Sequence, residues 1–230
     1  MYLIKSTQDK DPPVADPAKD PEPEKEPIPT DSTVVSYLSS QILWNLFSAG
    51  VKYFSSLKQL VFPENDRIGD SEDQFLRCLT NKYYRYYVDA KPDCKIWTLS
   101  SVPPPESNED KKFSIDKLPV VLIHGLLSGL AYWAMNLDTI VNSGHAVFAI
   151  DLPGFARSSR IEFSEDPDET EKIFVELIEC WRIAVGIERM IIIGHSFGGY
   201  ITVVYSLSYP HHVAHDVLID PWGFPDVREE

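Results

Sequence analysis

The pattern of apolar and polar positions divides the chain into three segments. Residues 6–32 are rich in Pro, Asp, Glu and Lys and contain few apolar side chains. A segment of this composition cannot bury enough apolar surface to offset the conformational entropy that it would lose on folding. We therefore predict that residues 1–32 form a disordered, acidic, proline-rich tail.

Residues 33–63 have the periodicity of a helix. Apolar side chains recur at steps of three and four residues, at Val35, Leu38, Ile42, Leu46, Ala49, Tyr53, Leu57 and Leu60. This spacing predicts one apolar helical face, which Trp44 and Phe47 widen. Such an amphipathic helix either packs on the rest of the domain or lies on a lipid surface. The aromatic side chains favour the lipid surface, whereas the lack of a basic face does not.

From residue 71 to residue 230 the pattern is that of a globular domain in which strands and helices alternate. Strands are predicted at 83–88, 95–99, 118–123, 146–150, 190–193 and 217–219, and helices at 131–141 and 171–186. The strands after residue 118 are almost entirely apolar, as in a sheet that is covered on both faces. We therefore predict an α/β fold with a mostly parallel sheet and helices on both of its faces.

Composition narrows the range of partners. The 230 residues carry a net charge of −14, which argues against nucleic acid and against electrostatic docking on anionic lipid. The three cysteines, Cys78, Cys94 and Cys180, are widely spaced, so neither a metal site nor a disulfide framework is predicted, and no cofactor is implied. This cysteine usage indicates a reducing, cytoplasmic compartment. No apolar run reaches about 20 residues, the length that spans a bilayer.

The strongest chemical signal is Gly194-His195-Ser196-Phe197-Gly198. An apolar, β-branched run precedes it, and a segment that can begin a helix follows it. Strand, Gly-x-Ser-x-Gly and helix together form the nucleophile elbow of α/β-hydrolases, where a sharp turn exposes the serine above the sheet. The sequence therefore predicts Ser196 as the nucleophile.

The neighbours of Ser196 are predicted to support it. Gly194, Gly198 and Gly199 leave room where a Cβ atom would clash with the neighbouring strand and helix. The backbone N–H of Phe197 points to the place where an oxyanion would form. His195 is predicted to lie under the elbow and not to act as the base.

A second element lies upstream, where Leu122-Ile123-His124-Gly125 ends a predicted strand. In hydrolases of this type, the loop after that strand provides the second N–H of the oxyanion hole. Leu126 is the first candidate donor and Leu127 is the second. Gly125 allows the backbone to approach closely, and His124 is predicted to orient the loop through a hydrogen bond.

The chain resembles one particular subfamily at several places. The segments are residues 95–99, 124–133, 151–160 and 220–225, in addition to the elbow. Together they are similar to the α/β-hydrolase domain-containing proteins four and five, from about Ser71 to the C-terminus. One branch of this subfamily resembles a lysophospholipase that acts on N-acyl phosphatidylethanolamines. The other is the lipid-droplet coactivator of triacylglycerol lipase, also described as a lysophosphatidate acyltransferase.

The resemblance implies a function in lipid metabolism. The coactivator branch carries asparagine at the elbow, so Ser196 favours the hydrolase branch, although Leu127 and Ser128 make the loop poorer in glycine than the family's. The implied activity is hydrolysis of (lyso)phospholipid or acylglycerol esters, and the alternative is a lipase coactivator or lysophosphatidic acid acyltransferase. The implied partners are a lipid ester substrate, a triacylglycerol lipase, and the surface of lipid droplets or of intracellular membranes such as those of the mitochondrion or endoplasmic reticulum.

A serine nucleophile also needs a base and an acid. His211, His212 and His215 follow the predicted elbow helix, whose length of roughly 20 Å places them beyond hydrogen-bond reach of Ser196. Asp220 follows a predicted strand and is a candidate acid. We expect the family's acid and histidine to lie outside this C-terminally truncated chain, so that the chain alone is inactive and its last strand is an exposed edge.

Overall fold

The computed structural model describes residues 2–5, 67–105 and 117–223. The helix predicted at 33–63 lies outside the described residues, as do residues 6–32 of the predicted tail. The elements, in chain order, are β1 (Tyr2–Lys5), α1 (Arg67–Leu76), β2 (Tyr84–Lys91), β3 (Cys94–Ser100), β4 (Val120–Ile123), α2 (Ala134–Asn142), β5 (Val147–Ile150), α3 (Pro167–Val185), β6 (Met190–His195), α4 (Phe197–Ser208) and β7 (Val213–Ile219). Short 3₁₀ turns at Leu130–Trp133 and Pro210–His212 precede α2 and β7.

The described strands form one seven-stranded sheet in the order β1-β7-β6-β4-β5-β3-β2. The four central strands, β7, β6, β4 and β5, are parallel, and Val121 of β4 lies between Phe148 of β5 and Ile192 of β6. The three outer strands pair in the antiparallel sense. The prediction of an α/β fold is confirmed, and its mostly parallel sheet has antiparallel strands at both edges.

The edge of β7 differs from the prediction. Tyr2 pairs with Leu218 and Lys5 pairs with His215, so that β1 covers the backbone of β7. The expectation of an exposed last strand is therefore wrong among the described strands. The prediction of a disordered tail is also wrong for Tyr2–Lys5, because β7 offers these residues backbone hydrogen bonds that composition cannot reveal.

Alternating side chains of the strands fill two apolar layers. Val121 and Ile123 belong to the layer that contains Trp181 of α3, and α4 packs in the same layer. Val120 and Leu122 belong to the layer that contains Leu137 of α2. Because successive strand residues point to opposite faces, an uninterrupted apolar run is what a doubly covered strand requires.

The ends of the helices follow local signals in part. Helix α3 ends at Gly186, which has φ 80°, as glycine permits and the sequence predicted. It begins before the predicted start, because the Asp166 side chain accepts a hydrogen bond from the N–H of Asp168 at 2.9 Å. The helix predicted from Ala131 begins as the 3₁₀ turn and becomes α-helical at Ala134.

Helix α1 was not predicted, and it places a wall beside the site. It carries few apolar side chains, but its buried carboxylate, Glu72, accepts hydrogen bonds from Trp97 Nε1 and Arg85 Nη1, both at 3.0 Å. Arg85 also pairs with Asp73 at 2.5 Å. These partners hold α1 against β2 and β3.

Candidate active site

The elbow has a strained backbone at Ser196. This residue joins β6 to α4 with φ 52° and ψ −119°, a conformation that side chains other than glycine's rarely adopt. Its N–H donates to the Ile219 carbonyl at 3.0 Å, and its own carbonyl accepts from Trp222 N–H at 3.0 Å and Gly199 N–H at 2.9 Å. Such strain persists only where the surrounding structure enforces it, and it occurs most often at functional sites.

Three glycines allow the elbow to pack tightly. A Cβ atom at Gly194 would lie 2.3 Å from the Gly198 carbonyl oxygen, and one at Gly198 would lie 2.4 Å from the His124 carbonyl oxygen. A Cβ atom at Gly199 would lie 2.9 Å from Pro221. The sequence-based expectation that these positions exclude a side chain agrees with all three contacts.

The loop at residues 124–129, called the oxyanion loop here, lies against the elbow. A Cβ atom at Gly125 would lie 3.2 Å from Ser196 Cβ and 2.9 Å from His195 Nδ1. Leu126 is partly buried against the core, and Leu127 is exposed with φ 55°, so the backbone turns sharply at that residue. The two predicted donors therefore follow directly after the residue that touches the nucleophile.

His124 braces the oxyanion loop from inside the protein. Its Nδ1 lies 2.7 Å from the Gly125 carbonyl oxygen, and its Nε2 accepts the N–H of Leu152 at 2.9 Å. These partners assign the proton to Nδ1. Complete burial lowers the pKa of His124 to about 4, so the ring is neutral near pH 7. This arrangement agrees with the predicted orienting role.

Asp151 is a second brace, which the analysis of the sequence missed. This fully buried carboxylate accepts the Leu130 N–H on Oδ1 at 2.6 Å and the Arg157 N–H on Oδ2 at 2.8 Å. It therefore connects the end of the oxyanion loop to the loop after β5. Burial raises its pKa to about 7, against the effect of the two backbone N–H groups. The available signal was an aspartate directly after a buried strand.

The His195 ring lies against Gly125 of the oxyanion loop, and its predicted place under the elbow stays a prediction. Its ring stacks on Tyr132, with ring centroids 4.5 Å apart and an angle of 20° between the planes. Its buried Nδ1 has no hydrogen-bond partner among the described residues. No hydrogen bond joins the His195 ring to Ser196 within the described residues, and that His195 is not the base stays a prediction.

The later histidines lie far from the nucleophile. His211 and His212 follow the 12 residues of α4, about 18 Å of helix. His215 pairs with Ile191 in the parallel register of β6 and β7, about 16 Å along the strand from Ser196. Asp220 follows β7 directly after the residue that bonds to the Ser196 N–H. In the part of the chain that the structure describes, no histidine or carboxylate is hydrogen-bonded to Ser196 Oγ.

An apolar cavity of about 550 Å³ lies beside the oxyanion loop. Helix α1 forms one wall with Ile68 and Phe75, and the oxyanion loop forms another with Leu127. Phe75, Leu127, Tyr132 and Met135 are exposed around it. Exposed apolar side chains that cluster at a concave site indicate binding of an apolar ligand.

Two further findings concern the residues that the structure describes. Among them, no group of three or more His, Cys, Asp or Glu side chains could hold a metal ion. No helix in residues 67–105 or 117–223 is long and apolar enough to cross a membrane.

The fold and the elbow define the class of the protein. Residues 119–228 match the family model described as "alpha/beta hydrolase fold", and this segment of the chain belongs to that family. Naproxen esterase from Bacillus subtilis shares this fold, with a TM-score of 0.56 and 20% sequence identity over 70% of this chain and 51% of the esterase.

Two human proteins are much more similar in sequence. The chain is 42% identical over 154 residues to the human "(Lyso)-N-acylphosphatidylethanolamine lipase", covering 67% of this chain and 42% of the lipase. It is 41% identical over 160 residues to the human "1-acylglycerol-3-phosphate O-acyltransferase ABHD5", covering 68% of this chain and 42% of that protein. The predicted resemblance to the subfamily of α/β-hydrolase domain-containing proteins four and five is therefore confirmed. The matched segment spans 42% of the length of each relative.

Proposed function

We propose that this chain carries the nucleophile and the oxyanion hole of a lipid serine hydrolase that acts on (lyso)phospholipid or acylglycerol esters. The observation that carries the proposal is the strained backbone of Ser196 at the junction of β6 and α4, packed against Gly125 of the oxyanion loop. The names of the relatives and the apolar cavity beside the loop support a lipid substrate.

In this mechanism Ser196 Oγ attacks the ester carbonyl and loses its proton to a histidine. The N–H of Phe197, at the N-terminus of α4, stabilises the tetrahedral oxyanion together with the N–H of Leu126 or Leu127. Collapse of the intermediate breaks the ester bond and releases the alcohol, which takes the proton from the histidine. Water then hydrolyses the acyl-enzyme. The proposal places the histidine and its acid partner outside this chain, so the 230-residue chain alone turns over poorly.

A second candidate function is acyl transfer, which the name of the acyltransferase relative favours. An acyl-enzyme on Ser196 passes its acyl group to an alcohol in place of water, and both reactions need the same nucleophile and oxyanion hole. A non-hydrolytic lipase coactivator needs neither of them.

The reaction products distinguish these functions. We expect a protein that contains this chain and extends to the length of its relatives to release free fatty acid from a lysophospholipid in aqueous detergent. Adding lysophosphatidic acid as the acceptor tests for a diacyl product by mass spectrometry. Free fatty acid alone supports the hydrolase, and the diacyl product supports the transferase. If neither product formed and circular dichroism showed an intact fold, the result would favour the coactivator function.

We further propose that the protein attaches to the surface of lipid droplets or intracellular membranes through residues 33–63. The exposed apolar residues around the cavity are consistent with access from a lipid phase. Trp44→Ala with Phe47→Ala removes two large apolar side chains, so flotation with neutral liposomes should be lost while circular dichroism stays unchanged. Added salt should have little effect on flotation. The paired change Lys52→Ala and Lys58→Ala is the control, because it leaves the apolar face intact. Retained flotation of the double aromatic variant would exclude this anchor.

A further inference from the structure

A second concave region lies next to the apolar cavity. It is a recess of about 450 Å³ lined by Lys95, Arg157 and Arg160, with the hydroxyl-bearing residues Ser158 and Ser159 between them. Ile68 and Ala156 line both the recess and the cavity, so the two share a wall. Each has the volume of a typical small-molecule site.

The recess concentrates positive charge on a strongly acidic chain. Arg160 donates to the carbonyl oxygens of Ser158 at 2.9 Å and Ala156 at 2.6 Å, which fix its guanidinium group. No carboxylate pairs with Arg160 within the described residues. The Lys95 Nζ atom lies 3.4 Å from Asp89 Oδ1. Because solvent screens the exposed Lys95–Asp89 pair, the recess offers an anionic group the charges of both Lys95 and Arg160.

Arg157 has a fixed place between the two regions. Its guanidinium lies 4.3 Å from the centre of the Trp97 ring, and its Nη1 lies 3.7 Å from Glu72 Oε1. The Glu72 carboxylate lines the cavity and is itself held by Trp97 and Arg85. Because Trp97 and Glu72 already hold Arg157, the cations left for a phosphate are Lys95 and Arg160, and the planar guanidinium of Arg160 matches the phosphate oxygens.

We propose that the cavity and the recess together bind a single-chain phosphate amphiphile, with the alkyl or acyl chain in the cavity and the phosphate against Arg160 and Lys95. Apolar side chains at the mouth favour an alkyl chain, while the adjoining cationic wall favours an anionic head group. The choice of a lipid rests on the proposed function, but binding requires no reaction at Ser196. The site extends the predicted one, because Leu127 of the oxyanion loop lines the cavity.

The test uses the 230-residue chain with Ser196→Ala, so that turnover plays no part. Monododecyl phosphate, the uncharged ether 1-dodecylglycerol and inorganic phosphate are titrated by calorimetry below their aggregation concentrations. We expect monododecyl phosphate to bind about tenfold more tightly than dodecylglycerol, because one set of charge-assisted hydrogen bonds has about this effect. Inorganic phosphate should bind more weakly than either, since it cannot fill the cavity.

Two changes probe the two regions separately. The double change Lys95→Gln and Arg160→Gln should lower the affinity for monododecyl phosphate about tenfold and leave the affinity for dodecylglycerol unchanged. Ser71→Trp, on the α1 wall of the cavity, should weaken both amphiphiles. Lys172→Gln removes an exposed charge of α3 and is the matched control, which should change neither affinity. Circular dichroism confirms that each variant is folded.

Three outcomes would overturn the proposal. If the charge variant lost equal affinity for both amphiphiles, the phosphate would not bind in the recess. If Ser71→Trp bound both amphiphiles with full affinity, the alkyl chain would not lie in the cavity. Inorganic phosphate that binds as tightly as monododecyl phosphate would indicate a site for free phosphate. Labelling of Ser196 is measured separately, in a protein with the native serine, so failure of the proposed reaction does not affect this result.

Discussion

Ser196→Ala should abolish covalent labelling by a fluorophosphonate probe and reduce ester hydrolysis by at least about a thousandfold. The probe reacts with the activated oxygen of a nucleophilic serine, and alanine has no such oxygen. The measurement uses a protein that contains this chain and extends to the length of its relatives, with labelling read by gel fluorescence. The 230-residue chain itself should label slowly, because no base is hydrogen-bonded to Ser196 Oγ among its described residues.

A serine at the other end of α4 provides the matched control. Ser208 lies at the exposed end of α4, where its hydroxyl donates to the Val204 carbonyl oxygen at 2.8 Å. Ser208→Ala should label like the unmodified protein. Equal labelling of the Ser196→Ala and unmodified proteins would exclude Ser196 as the nucleophile. If Ser196→Ala had a lower melting temperature than the unmodified protein, its loss of labelling would be explained by misfolding. We expect no such decrease.

Gly198→Ala should destabilise the fold by about 3 kcal/mol, the upper part of the range for overpacked cores. The new methyl group would lie 2.4 Å from the His124 carbonyl oxygen and 2.5 Å from the Ile123 carbonyl oxygen. Both are backbone atoms at the end of β4, so neither can turn aside as a side chain would. The helix and the strand must separate, which also moves the oxyanion loop away from Ser196. Urea unfolding followed by circular dichroism measures the change.

Leu207→Ala is the control for this prediction. Leu207 lies on the same helix but is 79% exposed, so its truncation should change the stability by about 0.5 kcal/mol or less. The loss of stability in Gly199→Ala should lie between the losses in these two variants, because the nearest atom to its new Cβ would be a side-chain carbon of Pro221 at 2.9 Å. If Gly198→Ala proved as stable as Leu207→Ala, α4 could not pack on β4 as closely as described.

Sequence patterns determined the elements whose signals are local. The apolar runs of the central strands and the Gly186 stop of α3 depend on neighbouring residues alone. The elbow is also a local signal, because a strand, two glycines and a helix start force one backbone turn. Ser196, Phe197 and the oxyanion loop could therefore be proposed before any contact was known.

Tertiary structure alone decided the elements that depend on distant partners. Helix α1 has few apolar side chains, and Trp97, 25 residues away, holds its Glu72 in place. Asp151 braces the oxyanion loop through the N–H of Leu130, 21 residues upstream. β1 is a strand because the edge of β7 accepts it. A periodic pattern records which residues are buried but not what they are buried against, so the braces, the cavity and the cationic recess had to come from the fold.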